Sequence, residues 1–174
     1  MKYIDINTNI NGLRDRFSSF EGKAFRPGQE NAIRFILESA KKVVVTCAPT
    51  GSGKSLIGMG AGAAHKRVCY LCSSKQLQLQ LTHDFPEALY MMGRGNFPCN
   101  QDPDNRNADM CIHTRATPCE LKGKCHYEVH KNRVAGHPLQ ILNYHYFLTE
   151  ANYVGRFADY PMVIGDEADV LGGC

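Results

Sequence analysis

The segment APTGSGKS, residues 48–55, places two glycines, a lysine and a serine where they can handle a phosphate chain. Gly51 and Gly53 let successive backbone N–H groups curl around phosphate oxygens. Lys54 neutralises the β and γ phosphates, and the Ser55 hydroxyl can hold magnesium at the start of a helix. Thr50 and Ser52 fill the rest of the loop, and Ala48 stands where the Walker A pattern has its first glycine. A second chemical group lies at DEAD, residues 166–169, after the apolar run MVIG. Asp166 suits a second magnesium ligand and Glu167 can orient an attacking water. A lone DE pair is more often a solvated surface, but one that ends a buried strand downstream of such a loop predicts an ATPase. Lys54 and Glu167 are then its candidate catalytic groups.

Residues 98–125, PCNQDPDNRNADMCIHTRATPCELKGKC, pose a different question. Cys99, Cys111, Cys119 and Cys125 are separated by eleven, seven and five residues. Thiolates suit a closed tetrahedral zinc site and an iron–sulfur cluster alike; these spacings lack the CxxC knuckle of most zinc modules and leave both open. His113, His126 and His130 are alternative ligands, although loop histidines are more often solvated. The one CxxC, Cys69 to Cys72, falls in VCYLC, where alternate residues face opposite sides of a strand; both read as core cysteines, with Cys47 likewise. Arg94, Arg106, Arg115, Lys122, Lys124, Lys131 and Arg133 make the segment slightly basic, nearly balanced by acids. Cys174, at the chain end, carries no inference.

These groups need elements to position them. Residues 28–40, GQENAIRFILESA, place Ile33, Phe35, Ile36, Leu37 and Ala40 near helical spacing after Pro27. VVVTC at residues 43–47 is β-branched and apolar, as expected of a central parallel strand leading into the phosphate loop. A Gly/Ala-rich helix to residue 64 and a second buried strand, VCYLC at 68–72, follow. KQLQLQLTHDF alternates like a strand, but Leu77, Leu81 and Phe85 share one helical face, which predicts a helix. From residue 93 to 136 the pattern dissolves into Asn, Asp, Pro, Gly and Cys, a composition that calls for a staple. Regular structure resumes with the strand PLQILN, a short helix over 145–151 and a last strand, PMVIGDEAD. Alternating strands and helices predict a doubly wound parallel sheet.

The totals agree with a soluble globular protein. The 174 residues are 43% apolar and 21% charged, which fits one ordinary core plus a small insert. A net charge of +3 permits a nucleic-acid partner without demanding one. No stretch reaches a membrane span and the N-terminal residues lack a signal-peptide core, so an intracellular protein is expected, cytoplasmic, or nuclear in a eukaryote, with no membrane partner. Eight cysteines in a reducing compartment are poor disulfide candidates.

The motifs together resemble a known family. APTGSGKS with DEAD is similar to motifs I and II of superfamily 2 helicases. FRPGQ, residues 25–29, resembles the upstream element whose glutamine reads adenine, which makes Gln29 an ATP-binding candidate. YLCSSKQLQLQLTHDFP, residues 70–86, resembles motif Ia, where Ser73 and Ser74 would meet single-stranded DNA phosphates. GRGNFPC at 93–99, three further cysteines and QILNYHYFL at 140–148 follow the order of the iron–sulfur segment of the XPD/DinG family. The resemblance implies a RecA-like P-loop NTPase sheet in an α/β fold, interrupted by a four-cysteine insert. The first domain would span residues 1–93 and 137–174, with the insert at 94–136. It further implies Cys99, Cys111, Cys119 and Cys125 as ligands of a [4Fe-4S] cluster, Arg94 as a further DNA contact, and 5′ to 3′ movement on single-stranded or forked DNA. Here DEAD replaces the usual DEAH, and Phe97 replaces Tyr. The chain ends five residues after motif II, so an N-terminal fragment is expected, with an absent C-terminal helicase half as partner. A non-enzymatic nucleotide- and DNA-binding module, or a degenerate remnant with zinc or a cluster as staple, is the alternative.

Overall fold

The computed structural model describes residues 17–18, 25–111, 119–153, 155 and 160–168. His113, Arg115, Asp169 and Cys174 lie outside these residues.

The fold is organised by VCYLC. Its residues form β1 (Val68–Cys72), buried at every position, as a strand covered on both faces must be. It pairs in parallel with β5 (Leu139–Asn143) on one side and β6 (Met162–Gly165) on the other, in registers that set Tyr70 beside Ile141 and Ile164. β2 (Leu89–Met91) adds in parallel to the far side of β5, giving the order β2-β5-β1-β6. Side chains alternate across β1. Val68, Tyr70 and Cys72 join one core with Ile33, Met59 and Leu81, from α1 (Gln29–Glu38), α2 (Lys54–Ala63) and α3 (Lys75–Asp84). Cys69 and Leu71 join the other, with Tyr127 and Val134 of α4 (His126–Ala135) and Tyr146 of α5 (Tyr144–Tyr153). The expected parallel α/β sheet with helices on both faces is present.

The Gly/Ala face of α2 lets the helix lie close. A Cβ on Gly58 would sit 3.1 Å from both Tyr70 and Ile164, and one on Gly60 2.6 Å from Ile33. α3 forms where Leu77, Leu81 and Phe85 share a face, with Ser74 as its N-cap accepting from the Leu77 N–H at 3.2 Å. Its fully buried Gln78 donates to the carbonyls of Met91 (2.7 Å) and Ile141 (2.9 Å), tying α3 to β2 and β5.

Three expectations are corrected. Residues 43–47 form no strand: the described sheet ends at β6, and Val43 and Val45 are 77% and 85% exposed. β-branched composition favours extended backbone, but without a ladder partner it cannot make a strand. Cys47 is accordingly exposed, not a core residue, whereas Cys69 and Cys72 are buried as expected. Phe35, placed on the apolar face of α1, points outward and is 59% exposed.

Within residues 93–136 a short hairpin joins β3 (Pro98–Cys99) to β4 (Asp102–Asn107), and α4 follows. This helix is invisible to periodicity because its buried contacts come from Tyr127 and Val134, one heptad apart in an otherwise polar HYEVHKNRVA. No helix among the described residues is long and apolar enough to cross a membrane.

Candidate nucleotide-binding site

Parallel strands deliver their functional groups at the C-terminal edge of the sheet. β1 leads into Ser73 and Ser74 and β6 into Asp166 and Glu167, and the phosphate loop opens α2, which packs against both strands.

The loop has the conformation its glycines permit. Gly51 and Gly53 have φ of 81° and 80°, a left-handed region that side chains resist. Gly53 is the N-cap of α2, so Lys54 and Ser55 open the helix and its first N–H groups face whatever binds. The loop is also tied from outside. Gln29, only 4% exposed, accepts from the Arg26 N–H at 2.8 Å and donates to the Ser52 carbonyl at 2.8 Å; Arg26 Nη1 donates to the Gly51 carbonyl at 2.8 Å. Both ends of the Gln29 amide are thus held by main chain. Lys54 is exposed and leans back on the Ala48 carbonyl at 3.4 Å. Thr50 is exposed at the loop tip, and the buried Ser52 hydroxyl has no hydrogen-bond partner among the described residues.

The carboxylates are held as firmly. The Asp166 N–H donates to the Leu71 carbonyl at 2.9 Å, extending the β6–β1 ladder by one residue. Asp166 Oδ2 accepts from the Tyr70 hydroxyl at 2.7 Å, Oδ1 from the Glu167 N–H at 3.0 Å, and its carbonyl from the Tyr144 hydroxyl at 2.8 Å. Gly165 permits that approach, since a Cβ there would lie 2.7 Å from the Tyr144 oxygen. Glu167 has φ of 53°, a left-handed conformation costing a non-glycine residue on the order of 1–3 kcal/mol. Its carboxylate accepts a hydrogen bond from Ser73. The cost is met by placing an exposed carboxylate next to the serine turn.

Burial pushes the Tyr70 phenol well above its ordinary range, aided by the Asp166 charge and opposed by a hydrogen bond from Ser55. It is therefore a neutral donor to Asp166 at any pH of interest. Burial, then the charges of Asp166 and Glu167, push the Cys72 thiol up to about 12.

The structure thus ties Gln29 to the loop of Gly51, Ser52 and Gly53, and joins Tyr70 to Asp166 and Ser73 to Glu167. The donor set of a hydroxyl and a carboxylate, at a glycine-shaped loop that opens a helix, fits magnesium with a nucleotide. Tyr70, Tyr144 and the loop contact of Arg26 escaped sequence reasoning, because nothing in their local pattern announces a tertiary hydrogen bond.

The remaining candidates are more dispersed. Ser74 caps α3. Arg94 donates to the Ala108 carbonyl at 3.0 Å and lies 5.5 Å from the Tyr127 ring centre, so part of it serves the insert's own fold. Cys99, Cys119 and Cys125 are half-buried and Cys111 is exposed, all as free thiols. Cys125 precedes α4 and the Cys119 sulfur accepts from the Leu121 N–H at 3.4 Å. Among the described residues, no three Cys, His, Asp or Glu side chains are gathered to hold a metal.

A parallel sheet with a glycine-shaped phosphate loop and a strand-end carboxylate pair defines a P-loop nucleotide-binding domain, consistent with the RecA-like kind. The sequence profile of the DEAD/DEAH box helicases matches residues 26–173, and the chain belongs to that family. No curated protein and no solved structure matches it. Membership makes ATP with magnesium, and a nucleic acid, the ligands of this class.

Proposed function

We propose that this protein is the ATP-binding portion of a DNA helicase of the XPD/DinG type, moving 5′ to 3′ on single-stranded or forked DNA. One observation supports coupling of nucleic acid to hydrolysis: Ser73, in the turn that would meet phosphates, is hydrogen-bonded to Glu167, the residue suited to orient water. A phosphate taken up by the Ser73 hydroxyl competes with the Glu167 contact.

Lys54 and the loop N–H groups carry positive charge to the β and γ phosphates, Thr50 and Ser52 line the loop, and Gln29 braces it beside the adenine position. Ser55 and Asp166 would hold magnesium, which supplies neutralisation of phosphate charge. Glu167 holds and orients the attacking water. A second helicase domain, contributing an arginine to the γ-phosphate, is the partner this chemistry calls for.

The finer reading extends to the cysteines. GRGNFPC and NYH flank Cys99, Cys111, Cys119 and Cys125 in the order of the iron–sulfur helicases, which supports a [4Fe-4S] cluster as the staple of residues 94–136. Protein purified without oxygen should be brown with about four irons per chain, and Cys111→Ser should lose the colour. Stoichiometric zinc without visible absorbance refutes the cluster. For the nucleic acid, Ser73→Asp sets a negative charge against the phosphate path. It should weaken binding of a fluorescent single-stranded DNA at least tenfold while ATP binding persists. Preference for RNA over DNA, or indifference to Ser73→Asp, refutes the DNA assignment.

A further inference from the structure

The phosphate loop is held from one side by the turn RPGQ, residues 26–29. Pro27 and Gly28 (φ 90°, ψ −25°) give it the form of a tight turn. It closes on itself twice, with the Gln29 N–H donating to the Arg26 carbonyl at 3.1 Å and the Arg26 N–H to Gln29 Oε1 at 2.8 Å. The other end of the same amide, Nε2, donates to the Ser52 carbonyl at 2.8 Å and lies against Gly53, where a Cβ would stand 2.5 Å from it. We propose that Gln29 is a positioning residue that acts on the triphosphate through the loop and does not read the base, so that the site takes nucleoside triphosphates without selecting adenine.

The inventory of donors and acceptors fixes which way the amide faces. Ser52 presents a carbonyl, which only the NH2 end can meet, and Arg26 presents an N–H, which only the oxygen can meet. Turning the amide over would oppose like with like at both ends. A glutamine that recognises adenine uses both ends of its amide on one base edge. The main chain already occupies both ends of Gln29, and the side chain is only 4% exposed, so turning to a base would forfeit both bonds and leave the loop unbraced. Kept in place, Gln29 shapes the loop before any phosphate arrives. The residues it touches, Ser52 and Gly53, immediately precede Lys54, and Arg26 Nη1 holds the Gly51 carbonyl at 2.8 Å. A loop ordered in advance binds without the ordering cost. One hydrogen bond of ordinary net worth shifts an equilibrium about two- to twelvefold, and removing this amide loses two.

This inference rests on the nucleotide-site reading, and its test separates the two. ATP, GTP and inorganic tripolyphosphate, which has no base, are titrated calorimetrically with magnesium into the parent and into Gln29→Met, which refills the space of the amide without its bonds. A bidentate base contact discriminates by about fivefold or more, so the parent should bind ATP and GTP within about fivefold of each other. Gln29→Met should weaken all three ligands by the same factor, at least about fivefold. A larger preference of the parent for ATP overturns the proposal, as does a loss in Gln29→Met that is confined to ATP, or no loss. In 15N-labelled Gln29→Met the Gly51 and Gly53 amide resonances should shift while those of Cys69 and Leu71 in β1 stay. Shifts that spread through β1 make Gln29 a residue of the general fold and overturn its role as a brace. A readout on the parent covers a variant that fails to fold: the Gln29 side-chain NH2 resonance should respond alike to ATP and to tripolyphosphate, and a response to ATP alone overturns the proposal. A parent that binds none of the three ligands overturns the nucleotide-site reading and this inference with it, whereas a base-selective parent overturns this inference alone.

Discussion

Gly60→Ala pits helix propensity against packing, and the structure decides the sign. Gly60 lies inside α2, where alanine is intrinsically better by about 1 kcal/mol. The added Cβ, however, would sit 2.6 Å from Ile33 Cδ1 and 3.4 Å from Cγ1. Carbon atoms at rest stand roughly 3.5–4.0 Å apart, so the first contact must open by about 1 Å. Ile33 is fully buried and its terminal methyl has no exit to solvent. Overpacking of this kind costs about 1–3 kcal/mol, so the net effect is a loss of about 1 kcal/mol. Ile33→Val removes the clashing methyl and by itself costs about 0.5–1.5 kcal/mol. The double variant keeps the propensity gain without the clash and should return to within about 0.5 kcal/mol of the parent, where simple additivity predicts a loss of about 2. Urea unfolding followed by circular dichroism measures all four proteins. A stabilised Gly60→Ala, or a double variant that loses the sum of the singles, refutes the packing of α1 on α2.

Two further outcomes follow from burial. Native thiol alkylation read by mass spectrometry should label Cys47 quickly and spare Cys69 and Cys72 until the chain unfolds, since the last two are buried and burial holds the Cys72 thiol protonated. Labelling of Cys72 in the native state refutes the placement of β1. Lys131 and Glu150 form an ion pair at 2.5 Å with side chains 12% and 8% exposed. Lys131→Met should destabilise by about 3–5 kcal/mol, while Lys131→Met with Glu150→Leu should recover most of the loss, as measured by thermal unfolding.

The legible parts of this chain were those whose local chemistry admits one solution. Two glycines at 51 and 53 dictate a left-handed loop and VCYLC has no polar face to expose, whereas KQLQLQLTHDF also alternates like a strand and reads as a helix only through the shared face of Leu77, Leu81 and Phe85. Residues 43–47 misled because strand formation is a property of pairs, and the described sheet gives VVVTC no neighbour. α4 was missed because two buried side chains suffice to dock it. Gln29 illustrates the middle ground: FRPGQ marks it as a candidate adenine contact, but its two hydrogen bonds to main chain, which make it a brace of the phosphate loop, exist only in the folded arrangement. The cysteine frame was readable as a pattern, yet the four thiols are not brought together among the described residues.

The central claim is that residues 48–55 and Asp166 form a magnesium-dependent ATP site, and calorimetric titration of ATP tests it most directly. The parent should bind ATP with magnesium and more weakly with EDTA. Lys54→Ala should lose at least tenfold in affinity by removing the cation at the β and γ phosphates, while unfolding at the same temperature as the parent. Asp166→Asn should bind alike with magnesium and EDTA. A parent that does not bind ATP, or binding that is unchanged in Lys54→Ala and insensitive to magnesium, contradicts the account.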